Sequence, residues 1–367
     1  MEKCDVEDAA VTRRPERRIH PTGSLLEAMA QMDQERVKLL LVVDHDDKFL
    51  APLSMGDIQR YYLEHNHFNA SAADVIADRE SLVARVGEGR AEIERRMRQH
   101  RLEAMPVLGD AEKLDSVIEW SDIGKVPKQP SVAAPVVVMA GGKGTRMQPL
   151  THVIPKPLIP LGERTILERI LWGYADAGAR EFWISINYKG DMIRHHLAET
   201  APSDWQLGYL EETQYQGTAG SLHLLKGKVK ETFVVCNCDI LIEESLSAVM
   251  KHHVAKGNEL TVIAAVHEQA VPYGVLECST GGALTGFTEK PVFTYLVNTG
   301  AYILEPELLD EIPTTGEFHM TELIAKIHAR GGRVGIYPIS DGSWLDVGTW
   351  DEYRKACSHH NARGVQP

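Results

Sequence analysis

Five charged residues stand where polar side chains interrupt apolar or glycine-rich stretches: Arg146, Lys156, Asp239, Lys290 and Asp346. Arg146 closes the run Gly141-Gly142-Lys143-Gly144-Thr145-Arg146, which follows the apolar Val136-Val137-Val138-Met139-Ala140 at once. Glycines in such a turn let the backbone reach positive φ and bring its N–H groups close to an anion. Lys156 lies between Pro155 and Pro157. Prolines reduce a loop's freedom, so the ammonium can be aimed at a fixed anion. Asp239 follows an apolar stretch from Phe233, and Asp346 stands in Trp344-Leu345-Asp346-Val347-Gly348-Thr349. A single Asp at a strand end is most often a cap. Two of them facing a basic loop suit Mg2+, which takes one or two carboxylates plus substrate phosphates.

Two general nucleotide patterns are excluded. G-x-x-x-x-G-K-[ST] would need glycine at Val137, and Gly144 rather than Ser or Thr follows Lys143. G-x-G-x-x-G started at Gly142 fails at Met147. Further polar stretches are Gln216-Gly217-Thr218-Ala219-Gly220-Ser221, Phe287-Thr288-Glu289-Lys290-Pro291 and Val297-Asn298-Thr299-Gly300. The first is a glycine-bracketed turn whose free N–H groups suit a base edge or a phosphate. The other two, taken singly, read as polar turns.

These residues need elements to hold them. From Val136 onward strand and helix alternate, the pattern of a mostly parallel sheet covered on both faces. The expected order is strand Val136–Met139, helix 165–177, strand 182–186, helix 192–197, strand 207–210, a helix near 219–225, strand 233–235, helix 244–254 and strand 260–266. Several of the polar motifs then fall at or just beyond strand ends, where open α/β sheets bind ligands.

Before this region, residues 19–124 repeat at an offset of 65: Val42 aligns with Val107, Lys48 with Lys113, Leu53 with Ile118, Asp57 with Asp122 and Ile58 with Ile123. Each copy reads as a helix, a short β-hairpin and an Asp-Ile helix start, and is too small to bury its sheet alone, so two copies packed face to face are expected. Residues 1–18 read as a charged mobile arm, 125–135 as a proline-rich linker, 136–357 as the main domain and 358–367 as a tail.

Composition narrows the function. The chain has 367 residues, 43% hydrophobic and 25% charged, which suits two or three soluble domains. Its formal net charge of −13 argues against coating nucleic acid but not against binding one nucleotide. No apolar run reaches membrane-spanning length, and no signal sequence opens the chain, so a cytoplasmic protein is expected. Five cysteines without a C-x-x-C pair argue against a zinc site or disulfide framework. The histidine pairs at 195–196, 252–253 and 359–360 read as solvated surface.

The tandem repeat resembles a cystathionine-β-synthase (CBS) domain pair. The resemblance is carried by Val-Val-Asp with Leu-Ser-Met-Gly-Asp-Ile in copy one, and by Met-Pro-Val-Leu with Val-Ile-Glu-Trp-Ser-Asp-Ile in copy two. It implies an adenine-nucleotide site in which Ser54 and Asp57 hold the ribose, with Asp122 the second-copy counterpart. Glu119 replaces the hydroxyl residue there. An Asp at a helix start is equally an ordinary cap. The alternative role for the module is dimerisation, and a homodimer or larger homo-oligomer is expected.

The second region resembles a sugar-1-phosphate nucleotidylyltransferase. Gly-Gly-x-Gly-Thr-Arg, Pro-Lys-Pro, Gly-Thr-Ala-Gly, an Asp after a strand, Tyr-Gly-Val, Glu-Lys-Pro, Val-Asn-x-Gly and Trp-Leu-Asp-Val-Gly occur in that order. The resemblance implies a Rossmann-like, GT-A-like α/β fold and a reaction of an NTP with a sugar 1-phosphate. With the repeat pair in front, the match is nearest the guanylyltransferases of legionaminic-acid pathway type, which implies GTP and glucosamine 1-phosphate. It places Gly141, Gly142, Gly144 and Thr145 on the nucleotide, Arg146 on the departing pyrophosphate and Lys156 on phosphate at the reacting centre. Gln216, Gly217 and Gly220 would lie against the base, and Asp239 and Asp346 would share one Mg2+. Gly274, Glu289, Lys290 and Asn298 would grip the sugar phosphate. Cys238 stands where the family usually has glycine. Two other functions remain open: a catalytically degenerate regulatory protein, and a phosphocholine or glycerol-phosphate transferase that would not need the sugar grip.

Overall fold

The computed structural model describes residues 15–76, 81–100, 102–119 and 132–362, which divide between residues 128 and 129 into two units. In the first unit β1 (Arg18–Ile19), α1 (Leu25–Gln34), β2 (Leu39–Val43), β3 (Phe49–Ser54) and α2 (Met55–His65) form one copy of the repeat. α3 (Ala72–Ile76) precedes the other copy, made of β4 (Ala84–Arg85), α4 (Arg90–His100), β5 (Ala104–Leu108) and β6 (Leu114–Glu119).

The 65-residue offset holds down to the register. Leu39 pairs with Ser54 and Ala104 with Glu119, and both hairpins shift register at the same place, after Val42 and after Val107. The short leading strands, which the sequence patterning did not reveal, repeat too: Ile19 pairs in parallel with Val42, Ala84 with Val107. Lys48 and Lys113, equivalent in the two copies, bridge to each other. Leu41, Val43 and Phe49 pack with Ala104, Leu108, Leu114 and Val117 in one cluster, so the sheets close face to face. Burying a side chain of this size is worth about 1.5–3 kcal/mol. Each copy contributes only part of this shared cluster, as expected for units this small.

One correction concerns the start of this region. Residues 15–18 of the expected mobile arm are structured: a 3-10 turn Pro15–Arg17 leads into β1. Arg17 pairs with Glu119 at 2.7 Å and Arg18 with Asp47 at 2.5 Å, so the arginines anchor the segment by charge where apolar patterning is lacking. At the other end, residues 120–131, with Asp122 and most of the expected linker, lie outside the described residues.

In the second unit β7 (Val136–Met139) is third in a seven-stranded sheet. Its neighbours are β10 (Glu181–Ile186), then β11 (Gln206–Glu211) on one side and β12 (Phe233–Asn237) on the other, all parallel. Beyond β12 come β17 (Val292–Leu304), β14 (Leu260–Ala270) and β18 (Val334–Ser340). β17 runs antiparallel to both its neighbours, and β18 is parallel to β14. Small two-stranded ladders join β8 (Pro160–Leu161) to β9 (Arg164–Thr165), β13 (Ile240–Ile242) to β19 (Trp344–Asp346), and β15 (Val275–Cys278) to β16 (Leu284–Thr288).

The pleat of β7 splits its side chains between two cores. Val136 and Val138 pack with helices α5 (Ile166–Asp176), α6 (Gly190–Thr200), α7 (Leu246–Lys256) and α9 (Trp350–Ala362). Val137 and Met139 face α8 (Met320–Ala329) and the 3-10 segments Gly220–Leu225 and Pro306–Glu311. With both faces covered, every residue of β7 is buried. α5 starts on a reciprocal cap: Glu168 N–H donates to Thr165 Oγ1 at 3.2 Å and Thr165 N–H to Glu168 Oε2 at 2.7 Å.

The segment expected as a helix near 219–225 is a 3-10 turn, tied to the Phe318 carbonyl through the amides of Ala219 and Gly220 at 3.0 Å each. Residues 132–135 are not free linker, because Val132 N–H bonds Ala177 O at 2.8 Å and Pro135 O accepts from Val234 N at 2.9 Å. α9 carries the fold on to Ala362, past the expected start of the tail. The histidine pairs are not all solvated. His253 is fully buried, 2.8 Å from Thr261 Oγ1 and 2.9 Å from Glu305 Oε1, and His196 lies 3.5 Å from Glu168. His359 and His360 fall in α9.

Candidate active site

The strands β7, β10 and β12 end together. Ala140 N–H donates to Ser185 O at 3.0 Å and Cys238 N–H to Met139 O at 3.2 Å, so the loop after β7 and the Asp after β12 leave the sheet side by side. A cleft of about 240 Å³ opens there, where parallel sheets place ligands. Gly141, Gly142, Gly144, Thr145, Arg146, Lys156, Gly217 and Asp239 line it.

The loop glycines do different things. Gly144 has φ +64, and a Cβ there would stand 3.0 Å from both Lys156 Cβ and Thr151 Cγ2. A Cβ on Gly141 would press on the Glu212 carboxylate at 2.8–3.0 Å. Gly142 has open space. Thr151, from the following turn, fixes Gly144 by donating its hydroxyl to the Gly144 carbonyl at 3.0 Å.

Lys156 is 6% exposed, and its ammonium donates to Asp239 Oδ2. Arg146, largely exposed, brings Nη2 to 3.7 Å from the same oxygen. β13 and β19 then bring in the second carboxylate. Ile240 is the register partner of Asp346, and Val347 N–H donates to Asp239 O at 2.9 Å. A Cβ on Gly348 would lie 2.6 Å from Asp346 Oδ1, 3.3 Å from Asp239 Oδ2 and 3.1 Å from Arg146 Nη2, so this glycine lies where all three meet. Burial, then the neighbouring Asp239, pushes the Asp346 carboxyl above its ordinary range. Two all-oxygen donors pressed together in this way fit a hard divalent cation, which would relieve their repulsion.

Cys238 occupies the cleft wall beside Asp239. Burial and that carboxylate push its thiol up to about 12, so it is a neutral thiol and not a ready nucleophile.

Four expected contacts lie elsewhere. Gly274 and Glu289 meet each other on the exposed arm formed by the outer halves of β14 and β17 with the β15–β16 hairpin: a Cβ on Gly274 would touch Glu289 Oε2 at 2.9 Å. Lys290 follows at φ +45 in the turn into β17. Asn298 is spent on the strand itself, accepting from Gly300 N at 3.1 Å and donating to Tyr302 Oη at 2.8 Å. Val-Asn-x-Gly therefore reads structurally as the β17 irregularity opposite Ile263 and Ala264. Gly217 and Thr218 line the cleft, whereas Gln216 and Gly220, both buried, do not. In the first unit Ser54 and Asp57 are a helix cap: Ser54 Oγ donates to Asp57 Oδ2 at 2.6 Å, and Arg60 pairs with the other carboxylate oxygen.

Sequence reasoning passed over Glu212. It is 7% exposed, accepts from the Ser185 hydroxyl and from Gln216 N at 3.2 Å, and lines the cleft. Its signal was an acidic residue immediately after a parallel strand. Tyr215, Asn237 and Gly348 also line the cleft and were not singled out.

Residues 135–363 match the family model described as nucleotidyl transferase. The chain belongs to that family. Among curated relatives it is 30% identical over 240 residues to a UTP–glucose-1-phosphate uridylyltransferase of Synechocystis, covering 60% of this chain and 61% of the relative. It is 29% identical over 219 residues to the catalytic subunit beta of a mannose-1-phosphate guanylyltransferase of Drosophila melanogaster, covering 58% of each. The chain thus spans about three fifths of the length of these relatives. A Bacillus anthracis crystal structure assigned as a glucose-1-phosphate thymidylyltransferase shares the fold, with TM-score 0.50 and 20% identity over 64% of this chain and 97% of that one. Among the described residues no helix is long and apolar enough to cross a membrane.

Proposed function

We propose that the protein transfers a nucleoside monophosphate from an NTP to a sugar 1-phosphate, releasing pyrophosphate. One observation carries this reading: Lys156, Arg146, Asp239 and Asp346 converge at the end of the glycine-rich loop. The attacking group is already a phosphate anion, so no Ser, Cys or His base is required. An oxygen of the sugar phosphate forms the new bond to the α-phosphorus as the bond to the β-phosphate oxygen breaks. Lys156 holds charge at the reacting centre, and Arg146, free to move at the cleft mouth, neutralises the departing pyrophosphate. Asp239 and Asp346 would hold Mg2+, which supplies charge neutralisation on the phosphates when bound.

For the base, Glu212 favours guanine. A carboxylate only accepts, and guanine alone among the common bases presents adjacent N1–H and N2–H donors on its pairing edge. Glucosamine 1-phosphate as acceptor rests on the sequence resemblance. The exposed arm carrying Gly274, Glu289 and Lys290 would have to close on the acceptor. The first unit we read as a CBS-type module; an adenine nucleotide there would compete with Arg60 for Asp57.

Pyrophosphate release from the four common NTPs, each against glucose, mannose and glucosamine 1-phosphates and phosphocholine, tests the reading. Turnover with GTP and a sugar phosphate is expected. Release with phosphocholine alone, or with none, overturns it.

A further inference from the structure

We propose that Lys156, helped by Arg146, keeps the Asp239 carboxylate closed to metal until a nucleotide arrives, so that the ion enters the loaded site in preference to the empty one. This rests on the transfer reaction above for the nucleotide and the metal.

The Lys156 ammonium lies on Asp239 Oδ2, one of the oxygens a divalent ion would need. Arg146 Nη2 stands 3.7 Å from that same oxygen. The Lys156 and Asp239 side chains are only 7% and 14% exposed, so solvent and salt screen them weakly. A divalent cation approaching the empty site therefore meets two positive charges already seated on its ligand. Pro155 and Pro157 fix the Lys156 backbone and its Cβ abuts Gly144, so with no other anion in reach the ammonium stays on Asp239. Arg146 is 63% exposed and can swing.

A triphosphate changes the competition. Its oxygens are better partners for guanidinium and ammonium than one shared carboxylate oxygen, since each cation gains its own charge-assisted bonds. Drawing both cations onto phosphate frees Asp239, which with Asp346 and a phosphate oxygen completes an oxygen set for the ion. By linkage, nucleotide must tighten metal binding by the same factor as metal tightens nucleotide binding.

The test is Mn2+ titration of the full-length protein without nucleotide, followed by the EPR signal of free Mn2+. Wild type should bind weakly. Lys156→Met should tighten Mn2+ about tenfold or more, and Arg146→Gln by a smaller factor, because its charge is farther away and better solvated. Arg146 is exposed enough that its replacement leaves folding intact, so it carries the test should Lys156→Met fold poorly. Adding Asp346→Asn to the tightened variant should abolish the gain. Unchanged or weaker Mn2+ binding in both variants overturns the proposal, as does a gain that survives Asp346→Asn. A metal-dependent transferase without tightening would sink this inference alone; tightening in a protein without turnover would sink the proposed reaction and leave the charge competition standing.

Discussion

Val347 donates its amide to the carbonyl of Asp239 at 2.9 Å, and this one bond ties the two carboxylate-bearing segments together at the cleft. The β13–β19 ladder continues the tie through Ile240 and Asp346. Asp239→Asn and Asp346→Asn should each lower the rate of pyrophosphate release by about a hundredfold or more. Asp239→Asn should also lose about 3 kcal/mol of stability, since it strips the charge partner from buried Lys156. Steady-state assays and urea unfolding of both variants check this; full activity in both discards the metal site.

Asp346 makes a pH-dependent prediction for the metal-free protein. Its carboxyl is raised by burial and by Asp239, so the folded protein holds that proton more tightly than the unfolded chain. Stability is lost as pH rises from the unfolded value through the folded one, and the whole deficit is present above it. In EDTA, Asp346→Asn should be more stable than wild type at neutral pH. The gain should vanish near pH 3, where both states are protonated. Urea midpoints across that range decide it, and a gain independent of pH contradicts the assignment.

Glu212→Gln replaces an acceptor-only carboxylate with an amide that both donates and accepts. GTP should lose about ten- to a hundredfold in kcat/KM, the worth of a bidentate base contact, while UTP or dTTP should improve relative to it. Parallel kcat/KM values for GTP and UTP are the readout. Equal losses for both would assign Glu212 to supporting Gly141 rather than to reading the base.

The loop glycines separate stability from binding. Gly144→Ala should cost about 1 kcal/mol or more, because φ +64 and contacts at 3.0 Å oppose a side chain. Gly142→Ala should unfold like wild type and yet bind nucleotide less well, since its Cβ would point into open space that the ligand needs. Urea unfolding paired with nucleotide titration checks both.

β7 and its loop were legible because four consecutive apolar residues have only one use before a glycine run: a strand buried on both faces. The convergence of Lys156 with Asp239 is invisible to spacing and came through the order of motifs alone. The antiparallel course of β17 was not legible, because parallel and antiparallel buried strands share one apolar pattern. Arg17 and Arg18 read as a solvated arm because ion pairs to distant Glu119 and Asp47 leave no periodic trace. Buried His253 was missed for the same reason: its partners Thr261 and Glu305 lie on other elements. Asn298 is a motif residue that also serves the strand, through its bonds to Gly300 and Tyr302.

The bridge between Lys48 and Lys113 has an evolutionary consequence. A homodimer of single repeats would be bound by its symmetry: one codon change alters both faces at once. This chain encodes the halves separately and can revise one while the other stays as it was. Ser54 and Glu119 differ in this way: one position caps a helix, and its counterpart anchors the chain's entry through Arg17. Carrying both repeats in one chain turns an axis of identity into two sites open to independent selection.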